Sequence, residues 1–186
     1  MEKETNNSLK SLYLFYGPEK FLIEENVKKI KKAFGRIQQG INYIEINESN
    51  VLDIISNLET PSFGFEKKLI IAKNTGLFKK DTKGSNASEN REKIEKYLKE
   101  NFDFVKDYNV LVFIEEDALK TLNLFKYIQK EGTVLEYDFL KPFQIKDRLK
   151  RISTAYKVSI DDSSLDYFID IVGTNMQDLV NEIRKL

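Results

Sequence analysis

The stretch Ser11–Lys32, SLYLFYGPEKFLIEENVKKIKK, holds residue types that do phosphate chemistry when their spacing is right. An apolar and aromatic run stops at Gly17, and an amphipathic helix follows at once. A phosphate-cradling loop at such a junction needs glycines whose amides curl round the phosphates. It also needs a lysine for charge and a hydroxyl for magnesium, spaced G-x-x-x-x-G-K and then serine or threonine. Here the residues are Gly17-Pro18-Glu19-Lys20-Phe21-Leu22-Ile23-Glu24. Only the first glycine is in place. Pro18 removes an amide donor, Glu19 repels phosphate, and Lys20 is out of register. Magnesium-holding acids are also missing where the third apolar run ends, at Lys73-Asn74. The junction reads as a degenerate nucleotide site, and no cofactor or metal is expected there.

Other groupings carry candidate chemistry too. Glu115-Glu116-Asp117 follows an apolar run and offers carboxylates for a metal, which keeps a metal-dependent nucleotidase or nucleotidyl transferase open as an alternative. Three consecutive side chains on an extended chain point in different directions, so a solvated strand end is the plainer reading. Basic runs at Lys28 to Lys32, Lys79-Lys80-Lys83 and Lys146 to Arg151 keep a plain DNA-binding module open. Strong sequence-independent binding of nucleic acid normally leaves a basic excess, yet thirty basic residues balance thirty acidic ones. The chain has no cysteine and no histidine, which removes thiolate nucleophiles, imidazole bases, disulfides and ordinary zinc sites.

The elements that must position these groups follow from hydrophobic patterning. LYLFY (12–16), INYIEI (41–46), KKLIIAK (67–73), VLVFI (110–114) and 133–137 read as strands, apolar on both faces where they are central. Ile23, Val27, Ile30 and Phe34 recur at helical spacing after the first, and further helices fall around 51–58, after residue 92, and around Leu122–Ile128. Strand and helix alternate, so the expected fold is α/β, a five-stranded parallel sheet with helices on both faces. Residues 1–10 are polar and read as a disordered tail. Residues 75–91 are polar, contain glycine and read as a flexible loop. Beyond Leu140 three helical patterns follow, the first opened by Pro142 and the second capped by Asp161, so 141–186 is expected as a small all-helical unit after an α/β unit over 11–140.

The residues show no apolar run near the ~20 needed to span a membrane, and the first ten lack a signal peptide's apolar core. A cytoplasmic protein is the expectation, so the glycosylation patterns at Asn6, Asn47 and Asn86 would go unread. A two-component receiver domain also fits five alternating strands. It requires paired acids where Tyr16 and Gly17 stand and an aspartate where Lys73 stands, and is rejected.

Four stretches together resemble the delta subunit family of the bacterial DNA polymerase III clamp loader, AAA+ proteins that do not bind ATP. They are LYLFYGPEKFLIEE, LETPSFGFEKKLIIAKN, EGTVLEYDFLKP and VGTNMQDLVNEIRKL. The resemblance runs from about Leu12 to Leu186, with Gln177 about where active AAA+ proteins carry a sensor arginine. It implies an AAA+-like, RecA-type α/β domain followed by a helical lid. The family's third domain, a helical collar that joins the loader subunits, has no counterpart in this sequence. A monomer that cannot join the other loader subunits is therefore expected. The implied function is to bind and open the ring-shaped sliding clamp for loading onto primed DNA, without ATP hydrolysis. Any polymerase activity would belong to the assembled holoenzyme.

The implied opening tool is an apolar pair at the tip before the third strand, matching Pro61-Ser62-Phe63-Gly64-Phe65. Phe63 falls on the family's aromatic anchor. Ser62 occupies a position usually held by a large apolar residue, and Phe65 could supply the missing contact. Independently of any resemblance, two phenylalanines in an expected surface turn either fold back under the sheet edge or await a partner. Burying one such ring is worth ~1.5–3 kcal/mol.

Overall fold

The computed structural model describes residues 9–82 and 86–185. Alternation delivers the expected α/β unit: β1 (Leu12–Tyr16), α1 (Lys20–Phe34), β2 (Tyr43–Ile46), a 3-10 turn (Glu48–Asn50), α2 (Asp53–Glu59), β3 (Lys68–Lys73), α3 (Ala87–Glu100), α4 (Phe102–Tyr108), β4 (Asn109–Glu115), α5 (Asn123–Glu131) and β5 (Thr133–Glu136). Then come α6 (Pro142–Ala155), α7 (Asp162–Val172) and α8 (Met176–Ile183). The chain divides after Tyr137 into two compact units, a few residues before the boundary expected near Lys141.

All strand pairs are parallel and the spatial order is β2-β3-β4-β1-β5. Successive side chains alternate between the two faces, as the pleat requires. Phe15, Leu69, Ile71, Val110 and Val112 meet Ile23, Val27 and Ile30 of α1 on one face. Leu12, Leu14, Ile70, Leu111 and Phe113 meet Ile54 and Leu58 of α2, Ile94 and Leu98 of α3, Val105 of α4 and Phe125 and Ile128 of α5 on the other. The central strands need side chains that are apolar on both faces, which explains their unbroken hydrophobic runs.

The structure departs from the sequence reading in three places. Residues 1–8 of the expected tail lie outside the described residues, but Leu9 packs on the α1 face and Lys10 Nζ donates to the Gly132 carbonyl at 3.2 Å. The segment read as a loop over 75–91 is anchored at both ends. Leu77 and Phe78 are buried, Phe78 edge-on to Phe113 with ring centroids 5.2 Å apart. The buried Arg91 guanidinium donates to the carbonyls of Leu77 (2.5 Å) and Lys79 (3.0 Å) and to Asp81 (2.9 Å), and α3 already begins at Ala87. Finally, α4 fills a stretch where no helix is expected, because one buried residue, Val105, is too little periodicity to register.

The second unit is a helical trio around Ile145, Leu149, Leu165, Met176, Leu179, Val180 and Ile183. Asp161 caps α7 by accepting the Ser164 N–H at 2.9 Å, and Asn175 caps α8 by accepting the N–H groups of Gln177 and Asp178. Lys146 to Asp166 (2.7 Å) and Lys150 to Asp162 (2.5 Å) tie α6 to α7. No helix among the described residues is long and apolar enough to cross a membrane.

Candidate functional site

At the β1–α1 junction the backbone amides already have partners. The Gly17 N–H donates to the Glu115 carbonyl at 3.2 Å, the Glu19 N–H to the Tyr137 carbonyl at 3.1 Å and the Lys20 N–H to the Pro18 carbonyl at 2.9 Å. Pro18 has no N–H to offer. Gly17 sits at φ +127°, and a Cβ there would stand 2.2 Å from the Tyr137 carbonyl oxygen. The turn is pressed against the end of β5, where a phosphate-binding loop would leave room. Lys20 points to Glu116 at 3.4 Å, and Glu19 is buried.

Beside this turn a cleft of about 370 Å³ opens between α1 and the ends of β3 and β4. Three of its lysines have acceptors: Lys31 donates to the Tyr43 hydroxyl at 2.6 Å, Lys73 stands 3.8 Å from Glu45, and Lys20 faces Glu116. Lys28 is exposed on its rim. Of the other expected basic groups, Lys146 and Lys150 pair with acids, Lys79 and Lys80 are exposed, and Lys83 lies outside the described residues.

The three consecutive acids do not converge. Glu115 is 1% exposed, and one of its oxygens accepts the Thr75 N–H at 2.8 Å and the Thr75 hydroxyl at 2.5 Å. Its other oxygen has no hydrogen-bond partner among the described residues. Burial pushes this carboxyl above the ordinary carboxylate range, against the lowering effect of the Thr75 bonds. Glu116 is exposed beside Lys20, and Asp117 accepts the Ala118 N–H at 2.7 Å. Among the described residues no three acids gather as metal ligands do. Gln177 donates to Asn181 at 2.9 Å along α8.

The tip between α2 and β3 is built differently. Residues Ser62 to Phe65 form a tight turn in which the Phe65 N–H donates to the Ser62 carbonyl at 3.0 Å and the Ser62 hydroxyl donates to the Phe65 carbonyl at 3.1 Å. Gly64, third in the turn, has φ +78°, a conformation glycine adopts without strain. Phe63, second in the turn, is 82% exposed, and Pro61 and Gly64 are exposed with it. Phe65 is half-buried, with the Arg36 guanidinium 5.6 Å above its ring and Leu9 and Phe34 lining the same groove. The two phenylalanines therefore have opposite fates: Phe65 packs on its own unit and Phe63 stands in water.

Polar side chains at the starts of β3 and β4 hold the base of this tip, and sequence reasoning missed them. Lys68 is buried at the start of β3, where its ammonium donates to the carbonyls of Asn57 (2.8 Å) and Thr60 (2.7 Å), closing the end of α2. Burial lowers its pKa from the ordinary lysine value. Asn109, buried at the start of β4, donates to the Leu58 carbonyl at 3.2 Å, and Lys67 donates to the Lys106 carbonyl at 3.0 Å. Polar residues opening apolar strands were the available signal: a lysine or asparagine there must find acceptors once buried.

Five parallel strands in the order β2-β3-β4-β1-β5, with helices on both faces, a junction lacking the phosphate-loop residues and a following all-helical unit define an AAA+-like module. Residues 13–138 match the family described as "DNA polymerase III, delta subunit", and the chain belongs to that family. A curated relative is the probable DNA polymerase III subunit delta of Aquifex aeolicus, 24% identical over 177 residues, covering 94% of this chain and 49% of the relative. Among solved structures, the Bacillus subtilis DNA clamp loader delta protein superposes with a TM-score of 0.72 at 22% identity, covering 95% of this chain and 52% of that one. The Thermotoga maritima RuvB Holliday junction branch migration motor superposes at 0.54 with 13% identity, covering 95% and 53%. At these identities the two likenesses are of fold. This chain spans about half the length of the relatives it matches.

Proposed function

We propose that this chain acts in DNA replication by binding and opening a ring-shaped sliding clamp, with Phe63 as its anchor and without binding or hydrolysing ATP. The observation that carries the reading is a phenylalanine 82% exposed at the head of a clasped turn whose base is pinned by Lys68 and Asn109. Leaving such a ring in water forgoes ~1.5–3 kcal/mol of burial, and a desolvated aromatic at the centre of an interface can carry ~2 kcal/mol or more. The pinned base lowers the ordering cost of docking, since the ring is already presented. The amides at the β1–α1 junction serve neighbouring carbonyls, which supports a role without nucleotide. In this reading the chain has no catalytic residue of its own and works in the cytoplasm. Primed DNA is met in the assembled loader, and the other loader subunits are joined in the full-length protein, through the family's collar domain.

A pull-down with the purified sliding clamp from the same organism tests the reading. Capture by the unaltered chain and its loss on Phe63→Ala support it; equal capture of both sinks it. A thermal shift with ATP and magnesium, or metal-dependent turnover, would instead favour the nucleotidase alternative. Steeply salt-dependent affinity for primed DNA without clamp capture would favour the DNA-binding one.

A further inference from the structure

The end of the sheet that carries Phe63 exposes two more rings. Phe104 and Tyr108 are 41% and 52% exposed on α4, with ring centroids 5.0 Å apart, while Val105 between them is fully buried. A spacing of four puts both on one helix face. Strand register and hydrogen bonds bring the C-terminal end of that helix beside the segment returning from the tip. Lys68 of β3 pairs with Asn109 of β4, so Lys67 and Tyr108 enter neighbouring strands side by side. The Lys106 carbonyl accepts both Lys67 Nζ and the Ser11 hydroxyl, each at 3.0 Å, which moors the last turn of α4 to the segment returning from the tip.

One ring is a small footprint. A phenylalanine buries roughly 150–250 Å² in all, whereas a stable complex typically buries about 800 Å² on each partner. The remainder must come from surface contiguous with Phe63. Ser62 adds little apolar area because its hydroxyl is turned to the Phe65 carbonyl, and Phe65 itself sits under Arg36. The aromatic pair on α4 is apolar surface exposed at this same end of the unit. We propose that Phe104 and Tyr108 form a second apolar contact for the partner that takes Phe63, supplying what Ser62 withholds. This rests on the reading that Phe63 docks on the clamp. The complementary surface on the clamp is correspondingly a second apolar depression beside the pocket for Phe63, shaped for a tilted pair of rings.

The test titrates the purified sliding clamp against the immobilised chain in four forms: unaltered, Phe63→Ala, Phe104→Ala with Tyr108→Ala, and Tyr108→Phe. The double alanine variant should bind at least fivefold more weakly, and Tyr108→Phe, which keeps the ring, within twofold of the unaltered chain. Oxidative footprinting of Tyr108 in the unaltered chain should show protection when the clamp is added, which decides the matter even if the double variant fails to fold. Binding lost with Phe63→Ala, but neither weakening nor protection at α4, overturns this proposal and leaves the docking reading standing. No binding by the unaltered chain overturns both.

Discussion

Ser62 and Phe65 hold each other twice across one turn, backbone N–H to carbonyl at 3.0 Å and side-chain hydroxyl to carbonyl at 3.1 Å. The residue that looks like a lost apolar contact is thus a clasp. By closing the turn it sets the directions of the phenylalanines on either side of Gly64. Phe65 is drawn toward Arg36, and Phe63 is left facing outward.

Phe63→Ala should lower affinity for the sliding clamp by at least tenfold, about 1.4 kcal/mol. The ring touches little of its own protein, so folding stability should move by less than about 0.5 kcal/mol. A surface-immobilised titration and a urea melt on the same preparation check both halves. A large loss of stability would mean that the ring is structural.

Ser62→Leu sets two effects against each other. A leucine at the interface brings ~1.5–3 kcal/mol of apolar burial, while removing the hydroxyl gives up a hydrogen bond worth roughly 0.5–1.5 kcal/mol net. Burial wins, and the backbone bond across the turn survives. Clamp binding should tighten by about 1 kcal/mol, roughly fivefold. Weaker binding in the same titration would show that the clasp outweighs the added surface.

Glu115→Gln should flatten the dependence of stability on pH. The native Glu115 carboxyl is raised by burial. At low pH both native and unfolded chains hold its proton, and the neutral form avoids the cost of burying a charge. As pH rises, the unfolded chain releases the proton first, so stability falls until the native carboxyl also ionises. Glutamine keeps an oxygen for Thr75 and carries no charge at any pH. Urea midpoints measured from pH 4 upward should show the unaltered chain losing stability relative to the variant across the window between the ordinary carboxylate value and the raised native one. Parallel curves would refute the assignment.

Gly17→Ala should destabilise the α/β unit by on the order of 3 kcal/mol or more, since a side chain at positive φ is strained and its Cβ would meet the Tyr137 carbonyl at 2.2 Å. Denaturant unfolding with an unchanged m-value is the check. Near-neutral behaviour would show that the junction has room to open, as a ligand-accepting loop would.

Much of this was legible before the fold was known. Strands such as VLVFI and KLIIA announce a buried parallel sheet because both faces must be apolar, and the missing second glycine, lysine and hydroxyl after Gly17 need no coordinates to read. Two features were not legible, for different reasons. Polarity over 75–91 suggested a loop, yet Leu77 and Phe78 are held in the core by Arg91, whose charge hides its buried role. α4 has too few buried positions to show a period, although it carries the rings beside the tip.

The sequence by itself determined the layers, the alternation of strands and helices and the place of the aromatic tip, because periodicity and residue type are local properties of the chain. Which phenylalanine faces water was decided only by tertiary structure. Arg36 meets Phe65 from beyond α1, Lys68 and Asn109 hold the end of α2 at the base of the tip, and Lys67 ties the returning segment to α4, so a side chain's direction is set by all the groups that close around it.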